Sequence, residues 1–133
     1  RLLVALEQAA QAAPSPRDAL AAVFRAHVAF VAAQPGVPGL IFHELQRPAD
    51  SPVKQEVRAL LQSYRKLLLD LLEAAVQQGQ VPVGLDKAAA ATLFVGIVQA
   101  LVMQSMLSGK PAAIKAEAER VFALYLRGIG EAS

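Results

Sequence analysis

The sequence contains no cysteine and no tryptophan, and aromatic residues make up only 5% of its 133 residues. The missing cysteine excludes disulfides, thiolate metal sites and cysteine nucleophiles. No stretch alternates apolar and polar residues between turn signals, which argues against a β-sheet. What remains is a chain with 55% hydrophobic residues, many of them alanine, which favours helix. We therefore predict one all-α domain.

The chain also has little excess of positive over negative charge. Thirteen Lys and Arg residues against eleven Asp and Glu give a formal net charge of +2, and no basic run is longer than Arg65-Lys66. Nucleic-acid binding by phosphate neutralisation needs a dense basic face, which this chain does not have. No signal-peptide pattern opens the sequence. The absence of cysteine is compatible with a reducing cytoplasm, which is the location that we expect.

Patterns for catalysis, cofactors and metals are missing as well. There is no nucleophile elbow, no phosphate-binding glycine loop and no pair of carboxylates set by spacing, so we expect neither an enzyme nor a bound cofactor. The run from His43 to Arg47, HELQR, resembles the zinc-protease motif HExxH, but its last position is arginine. One histidine and one carboxylate are too few for a catalytic zinc site, which needs three protein ligands. We predict no metal site.

Proline, glycine and capping residues divide the chain into an N-terminal helical stub over residues 1–13 and about five helices. The predicted helices run over 16–33, 38–46, 52–78, from the cap at Asp86 to 107, and over 111–126. Ser15-Pro16 and Ser51-Pro52 each supply an N-cap followed by a proline at the first helical position. Gly79 closes the third helix as a C-cap, and Gly128 and Gly130 end the last.

The segment 93–107, LFVGIVQALVMQSML, is apolar on nearly every side. A membrane span needs ~20 largely apolar residues, but Gln99 and Gln104 interrupt this run, and no aromatic belt flanks it. A helix that is apolar all round in a soluble protein must be covered all round. Either the domain surrounds it completely, or one face packs within the chain and the other on a second copy. We favour the second copy.

Two apolar stripes divide this helix. One consists of Phe94, Ile97, Val98, Leu101 and Ser105, and the other of Leu93, Gly96, Ala100, Met103 and Leu107. The absent side chain of Gly96 would let a neighbouring helix approach closely. The last helix also has a broad apolar face. Excess apolar surface on two consecutive helices predicts a symmetric four-helix interface in a homodimer.

In this order of elements, the chain resembles the C-terminal regulatory domain of the tetracycline repressor-like (TetR) transcriptional regulators. The resemblance runs from about Arg17 to Gly130. It is carried by HVAFVAAQ followed by PGVPGLIFHELQ, by SPVKQEVRALLQSYRKLLLDLLEAAVQQGQV, by LDKAAAATLFVGIVQALVMQSMLSG and by VFALYLRGIG. These domains vary in sequence, so the order of elements and the phrases at 79–109 and 122–130 are its most specific parts.

The resemblance implies a helical domain that dimerises through its last two helices and encloses a small-molecule pocket between the others. A ligand would change the spacing of two helix-turn-helix domains and release DNA. We expect residues 1–13 to be the end of the helix that links to such a DNA-binding domain, and residues 14–133 to be the regulatory domain. The helix-turn-helix domain is not in this sequence, so we expect DNA binding only through it, no membrane partner, and a repressor role.

The resemblance and the apolar stripes together give two sets of candidate residues. The predicted pocket wall is Phe24, His27, Val31, Phe42, His43, Tyr64, Leu68, Phe94 and Val98. The predicted dimer interface is Leu93, Gly96, Ala100, Met103, Leu107, Val121, Phe122, Tyr125 and Ile129. The pocket set is mostly apolar with imidazole and phenol groups, so we expect a hydrophobic or aromatic ligand.

Plainer interpretations stay open for several of these residues. His27 could be a core histidine satisfied by a neighbour, and Tyr64 a core tyrosine. Gln99 could face a ligand, its mate across the dimer axis or a helix backbone. Met103 and Met106 can adapt to an irregular ligand, but we favour core packing or dimer contact for each. A helical homodimerisation module without a ligand is the alternative function, and an interior filled by phenylalanines would favour it. A small helical enzyme is the third class.

Overall fold

The computed structural model describes residues 1–110 and 113–130 and contains six α-helices there. They are α1 (Leu2–Ala12), α2 (Pro16–Ala33), α3 (Gly36–Leu45), α4 (Pro52–Gln77), α5 (Lys87–Ser108) and α6 (Ala113–Gly128). No strand is found in those residues. The predicted all-α bundle is confirmed, and the stub is a full helix of three turns.

The predicted N-caps are in place. The side-chain oxygen of Ser15 accepts a hydrogen bond from the amide of Asp18 at 3.1 Å, and that of Ser51 accepts from Lys54 at 3.2 Å. The Asp86 carboxylate accepts from the amide of Ala89 at 3.0 Å. Each bond satisfies an amide that has no partner within its own helix, which fixes where α2, α4 and α5 begin.

Helix α3, which was predicted over residues 38–46, differs from its prediction. It begins at Gly36, two residues before the predicted start at Pro38, with Pro35 as its N-cap. A proline in the first helical turn costs no hydrogen bond, so Pro38 does not delay the start. α2 and α3 meet at 93°, so α3 turns away from the bundle axis. The predicted start of the last helix at Pro111 lies outside the described residues, and that helix ends at Gly128.

The core lies between α2, α4, α5 and α6, with α1 packed along α2 and α4. Its centre is a group of aromatic rings, in which Phe94 meets Phe24, Tyr64, Phe122 and Tyr125 edge-on, at centroid distances of 5.8, 6.1, 5.7 and 5.6 Å. The rings join four helices in one contact. Edge-to-face pairs of this kind contribute ~0.5–1.5 kcal/mol each beyond the burial of their area.

Tyr125 also links α6 to α5 by a hydrogen bond. Its buried hydroxyl donates to the carbonyl of Ala90 at 2.8 Å. A buried phenol needs such a partner. On the surface, Arg25 of α2 forms a two-pronged ion pair with Glu119 of α6, with both bonds at 2.9 Å.

Gly79 ends α4 with a positive φ of 69°. The amide of Gln80 donates to the carbonyl of Ala75 at 2.8 Å, and that of Gly79 to the carbonyl of Val76 at 3.0 Å, which is the Schellman pattern.

We expect Gly79→Ala to lower the free energy of unfolding by about 1 kcal/mol, because a Cβ is unfavourable in left-handed backbone. Urea unfolding should measure this. Gly84→Ala is the matched control, since Gly84 has no positive φ and open space around it, and an equal loss in both variants would contradict the argument.

Candidate functional site

A cavity of ≈ 200 Å³, partly open to solvent, lies between α2, α3, α4 and α5. Helix α3 forms its outer wall and has no fully buried residue of its own. The lining residues are Leu2, His27, Phe30, Val31, Gln34, Val37, Pro38, Ile41, Phe42, Leu45, Val57, Leu60, Leu61, Tyr64, Val95, Val98, Gln99 and Val102. The wall is mostly aliphatic and aromatic, as is typical of small-molecule sites.

The polar groups of this cavity are few and uncharged. They are His27, Gln34, Tyr64 and Gln99, and no Asp, Glu, Lys or Arg is among its lining residues in the described part of the chain. Nδ1 of His27 and the hydroxyl of Tyr64 are 2.7 Å apart, so the two side chains share a hydrogen bond. A neutral imidazole can donate or accept at Nδ1, depending on its tautomer. The pair can therefore offer a ligand either a donor or an acceptor.

Burial keeps both members of this pair neutral. It lowers the pKa of His27 from its ordinary value of 6.5 to about 4, because an imidazolium loses hydration among apolar neighbours. Burial also raises the pKa of Tyr64 above its usual range. At neutral pH the site therefore presents dipoles rather than charges.

The low pKa of His27 makes stability depend on pH. The unfolded chain binds a proton at His27 below pH 6.5, and the folded chain only below about 4, so stability is fully present above pH 6.5 and falls as pH drops towards 4. We expect a loss of about 2–3 kcal/mol across this window. Urea unfolding at pH 7 and pH 4.5 should show that His27→Asn loses less free energy of unfolding between the two pH values than wild type does. His43→Asn, at an exposed position, should lose as much as wild type. Equal pH dependence in all three proteins would contradict a neutral buried His27.

Five of the nine predicted pocket residues line the cavity: His27, Val31, Phe42, Tyr64 and Val98. The other four lie elsewhere. Phe24, Leu68 and Phe94 are fully buried at 0% exposure in the core, where they contact other side chains instead of open space. His43 is exposed to solvent on α3 and does not line the cavity.

Several lining residues were not predicted. Leu60 and Leu61 belong to the apolar stripe of α4, but periodicity does not say which part of a stripe meets another helix and which part meets a cavity. Phe30 and the α3 residues other than Phe42 were missed because the angle between α2 and α3 is set by tertiary packing. The signal that could have shown them was the apolar sequence GVPGLIF on a short helix between two proline-containing turns.

On α5 the structure separates the two stripes as the spacing predicts. Phe94, Val98 and Leu101 are buried, with at most 4% of their surface exposed. The opposite stripe is left open: Leu93 is 52%, Met103 43% and Leu107 82% exposed, with Gly96 and Ala100 between them. We name this second stripe, Leu93, Gly96, Ala100, Met103 and Leu107, the outer stripe.

By length and hydropathy α5 could cross a membrane, and 33% of its most apolar window is buried within the chain. A buried core helix of a soluble protein passes the same test. The outer stripe is an exposed apolar surface, and a contiguous apolar surface of this kind is typical of an interaction site.

The α6 residues predicted at the dimer interface are placed mainly inside the chain. Phe122, Tyr125 and Ile129 are only 3–4% exposed and pack into the core, so their side chains have little surface to offer a second copy. Val121 is half-buried. Leu124 is 64% exposed, so α6 also presents apolar surface.

A model of the family described as "Tetracyclin repressor-like, C-terminal domain" matches residues 43–121, which is more than half of the 133 residues. The matched part runs from the end of α3 through α4 and α5 into α6. It contains the α4 and α5 walls of the cavity and the whole outer stripe. No curated protein and no solved structure matches the chain.

Proposed function

The chain belongs to the tetracycline repressor-like C-terminal domain family, and from that premise we propose that it is the ligand-sensing and dimerising domain of a transcriptional repressor. The family membership makes it the regulatory domain of a TetR-like regulator. Its ligand, its homodimer and its repressor role are our proposals. DNA would be bound by a helix-turn-helix domain outside residues 1–133, and the regulator would act in the cytoplasm.

The observation that carries the sensing role is the apolar cavity with the His27–Tyr64 pair in its wall. Leu2 of α1 also lines this cavity. A ligand that fits better when α1 has moved would shift the population towards that conformation, since a ligand changes an equilibrium only through its different affinity for the two states. We propose that residues 1–13 transmit this shift to the DNA-binding domain.

The exposed outer stripe is the observation that supports dimerisation. α5 and α6 pack against each other, and both leave large apolar side chains exposed, Leu93, Met103 and Leu107 on α5 and Leu124 on α6. A second copy related by a two-fold axis would cover the same patch on both chains. Such an interface would explain why α5 is apolar on both faces without placing it in a membrane.

Binding of a neutral fluorophore tests the sensing role. We expect N-phenyl-1-naphthylamine to bind saturably, one molecule per chain, with a blue-shifted emission. Gln99→Phe should weaken its affinity at least tenfold by filling the cavity that Gln99 lines. Gln62→Phe, on the exposed side of α4, should bind like wild type.

A second candidate function is a homodimerisation module without a ligand. The observation that favours it is the volume of ≈ 200 Å³, which is below the ~300–1,000 Å³ of ordinary ligand pockets. Absence of saturable fluorophore binding in a protein that still dimerises would establish this candidate in place of the sensing role.

A further inference from the structure

A second, smaller cavity adjoins the first. It has a volume of ≈ 140 Å³ and lies between the α2–α3 turn and the last turns of α5. Val31, Pro38 and Val102 line both cavities. The two cavities are therefore neighbours, and a flexible molecule that occupied both would fill a volume above the lower limit for ordinary ligand pockets.

The shared walls form a track along one side of α5. Val98 lines the first cavity, Val102 lines both, and Met106 lines the second. These residues follow one another at four-residue intervals, and the rise of 1.5 Å per residue separates the two ends by ~12 Å. The track is therefore at least ~12 Å long, and at its far end the thioether of Met106, which is 43% exposed, can adapt to an irregular chain.

From this geometry we infer, on the basis of the proposed sensing function, that the ligand is an uncharged, elongated molecule. Its single polar group, a hydroxyl or carbonyl, meets the His27–Tyr64 pair, and its aliphatic chain runs past Val102 to Met106. The ligand class is thus a medium-chain alcohol, ketone or ester rather than a carboxylate or an ammonium ion.

The uncharged character follows from the lining of both cavities. Their described lining residues include no charged side chain. A charged group held against the His27–Tyr64 pair, where Tyr64 is buried, would lose hydration without gaining a counter-ion. The imidazole and phenol can exchange donor and acceptor roles. They therefore fit a hydroxyl, which needs both, and a carbonyl, which needs a donor.

The experiment is displacement of N-phenyl-1-naphthylamine at pH 8 by matched series of primary alcohols, carboxylates and alkylammonium ions from four to ten carbons. We expect the affinity of the alcohols to rise about fourfold per methylene while the chain enters apolar surroundings. Carboxylates and ammonium ions of equal length should bind at least tenfold more weakly.

Two variants test the track and the polar end separately. Ser105→Leu fills the second cavity, which Ser105 lines, and should remove the gain from the last methylenes while leaving butanol unchanged. Gln104→Leu, one residue earlier and lining only the α5–α6 cleft, is its control. Tyr64→Phe should weaken every alcohol by about three- to tenfold without changing the increment per methylene.

The outcomes separate this inference from the function on which it rests. If neither the fluorophore nor any member of the series binds saturably, the sensing function itself is overturned. If they bind but charged members are preferred, or affinity does not grow with chain length, or Ser105→Leu behaves like Gln104→Leu, the sensing function stands and the elongated neutral ligand is overturned.

Discussion

Leu93→Glu is expected to convert a dimer of this domain into monomers of 14.0 kDa, with a dissociation constant raised about 1,000-fold or more. Leu93 is 52% exposed in the single chain, so glutamate there costs the monomer little. In a two-fold interface the change occurs twice. Each copy would lose ~1.5–3 kcal/mol of apolar burial and would place a carboxylate in a dry contact.

Light scattering over a range of concentrations measures this effect. Ala59→Glu, on the exposed side of α4, is the matched control and should dimerise like wild type. A dimeric Leu93→Glu protein would show that the outer stripe is not the interface, and a monomeric wild type at micromolar concentration would remove the dimer altogether.

Gly96 offers a complementary variant, because a Cβ there would meet nothing within 4 Å in the single chain. Within a helix, alanine is favoured over glycine by ~0.8–1 kcal/mol and leucine is nearly as favourable as alanine. We therefore expect Gly96→Leu to stabilise the monomer while it weakens the dimer. These opposite effects would separate loss of the interface from loss of the fold.

The second large effect is expected for Phe94→Ala, which should lower the free energy of unfolding by about 4 kcal/mol. Phe94 is 0% exposed and its ring contacts four others, which belong to α2, α4 and α6. Truncation removes the burial of the ring and leaves a cavity at the point where four helices meet.

Urea unfolding at one fixed protein concentration measures this loss, because the stability of a dimer depends on concentration. Phe94→Leu keeps part of the volume and should lose about half as much, which gives a reading if the alanine variant does not fold. Phe42→Ala, on the half-buried wall of α3, should lose less than either. A similar loss for Phe42 and Phe94 would contradict a core centred on the aromatic group.

The helical boundaries were predictable because their signals are local. Ser15, Ser51 and Asp86 each cap a helix through an amide three residues away, and Gly79 ends α4 through bonds within the same turn. The family resemblance is confirmed by the match to residues 43–121, which contains the phrase at 79–109, whereas the phrase at 122–130 lies beyond the match.

The assignment of apolar residues to particular neighbours was less predictable. Helical periodicity placed Phe24, Phe94 and Phe122 on apolar faces, but it does not separate a core contact from a pocket wall or an interface. We therefore assigned the first two to the pocket and Phe122 to the dimer interface, whereas all three are in the core. That difference depends on angles between helices, such as the 93° between α2 and α3, which arise from packing of residues distant in sequence. The prediction was best on α5, where two distinct stripes exist and the structure buries one and exposes the other.

The aromatic group at the centre of the domain also determines how the protein can be observed. The chain has two tyrosines and no tryptophan, and both tyrosines are buried, Tyr125 against Ala90 and Tyr64 in the cavity wall beside His27. Absorption near 280 nm, and the fluorescence that it excites, therefore come from these two side chains. In a Tyr125→Phe protein the circular dichroism near 280 nm would report on Tyr64 in the cavity wall, without any attached label.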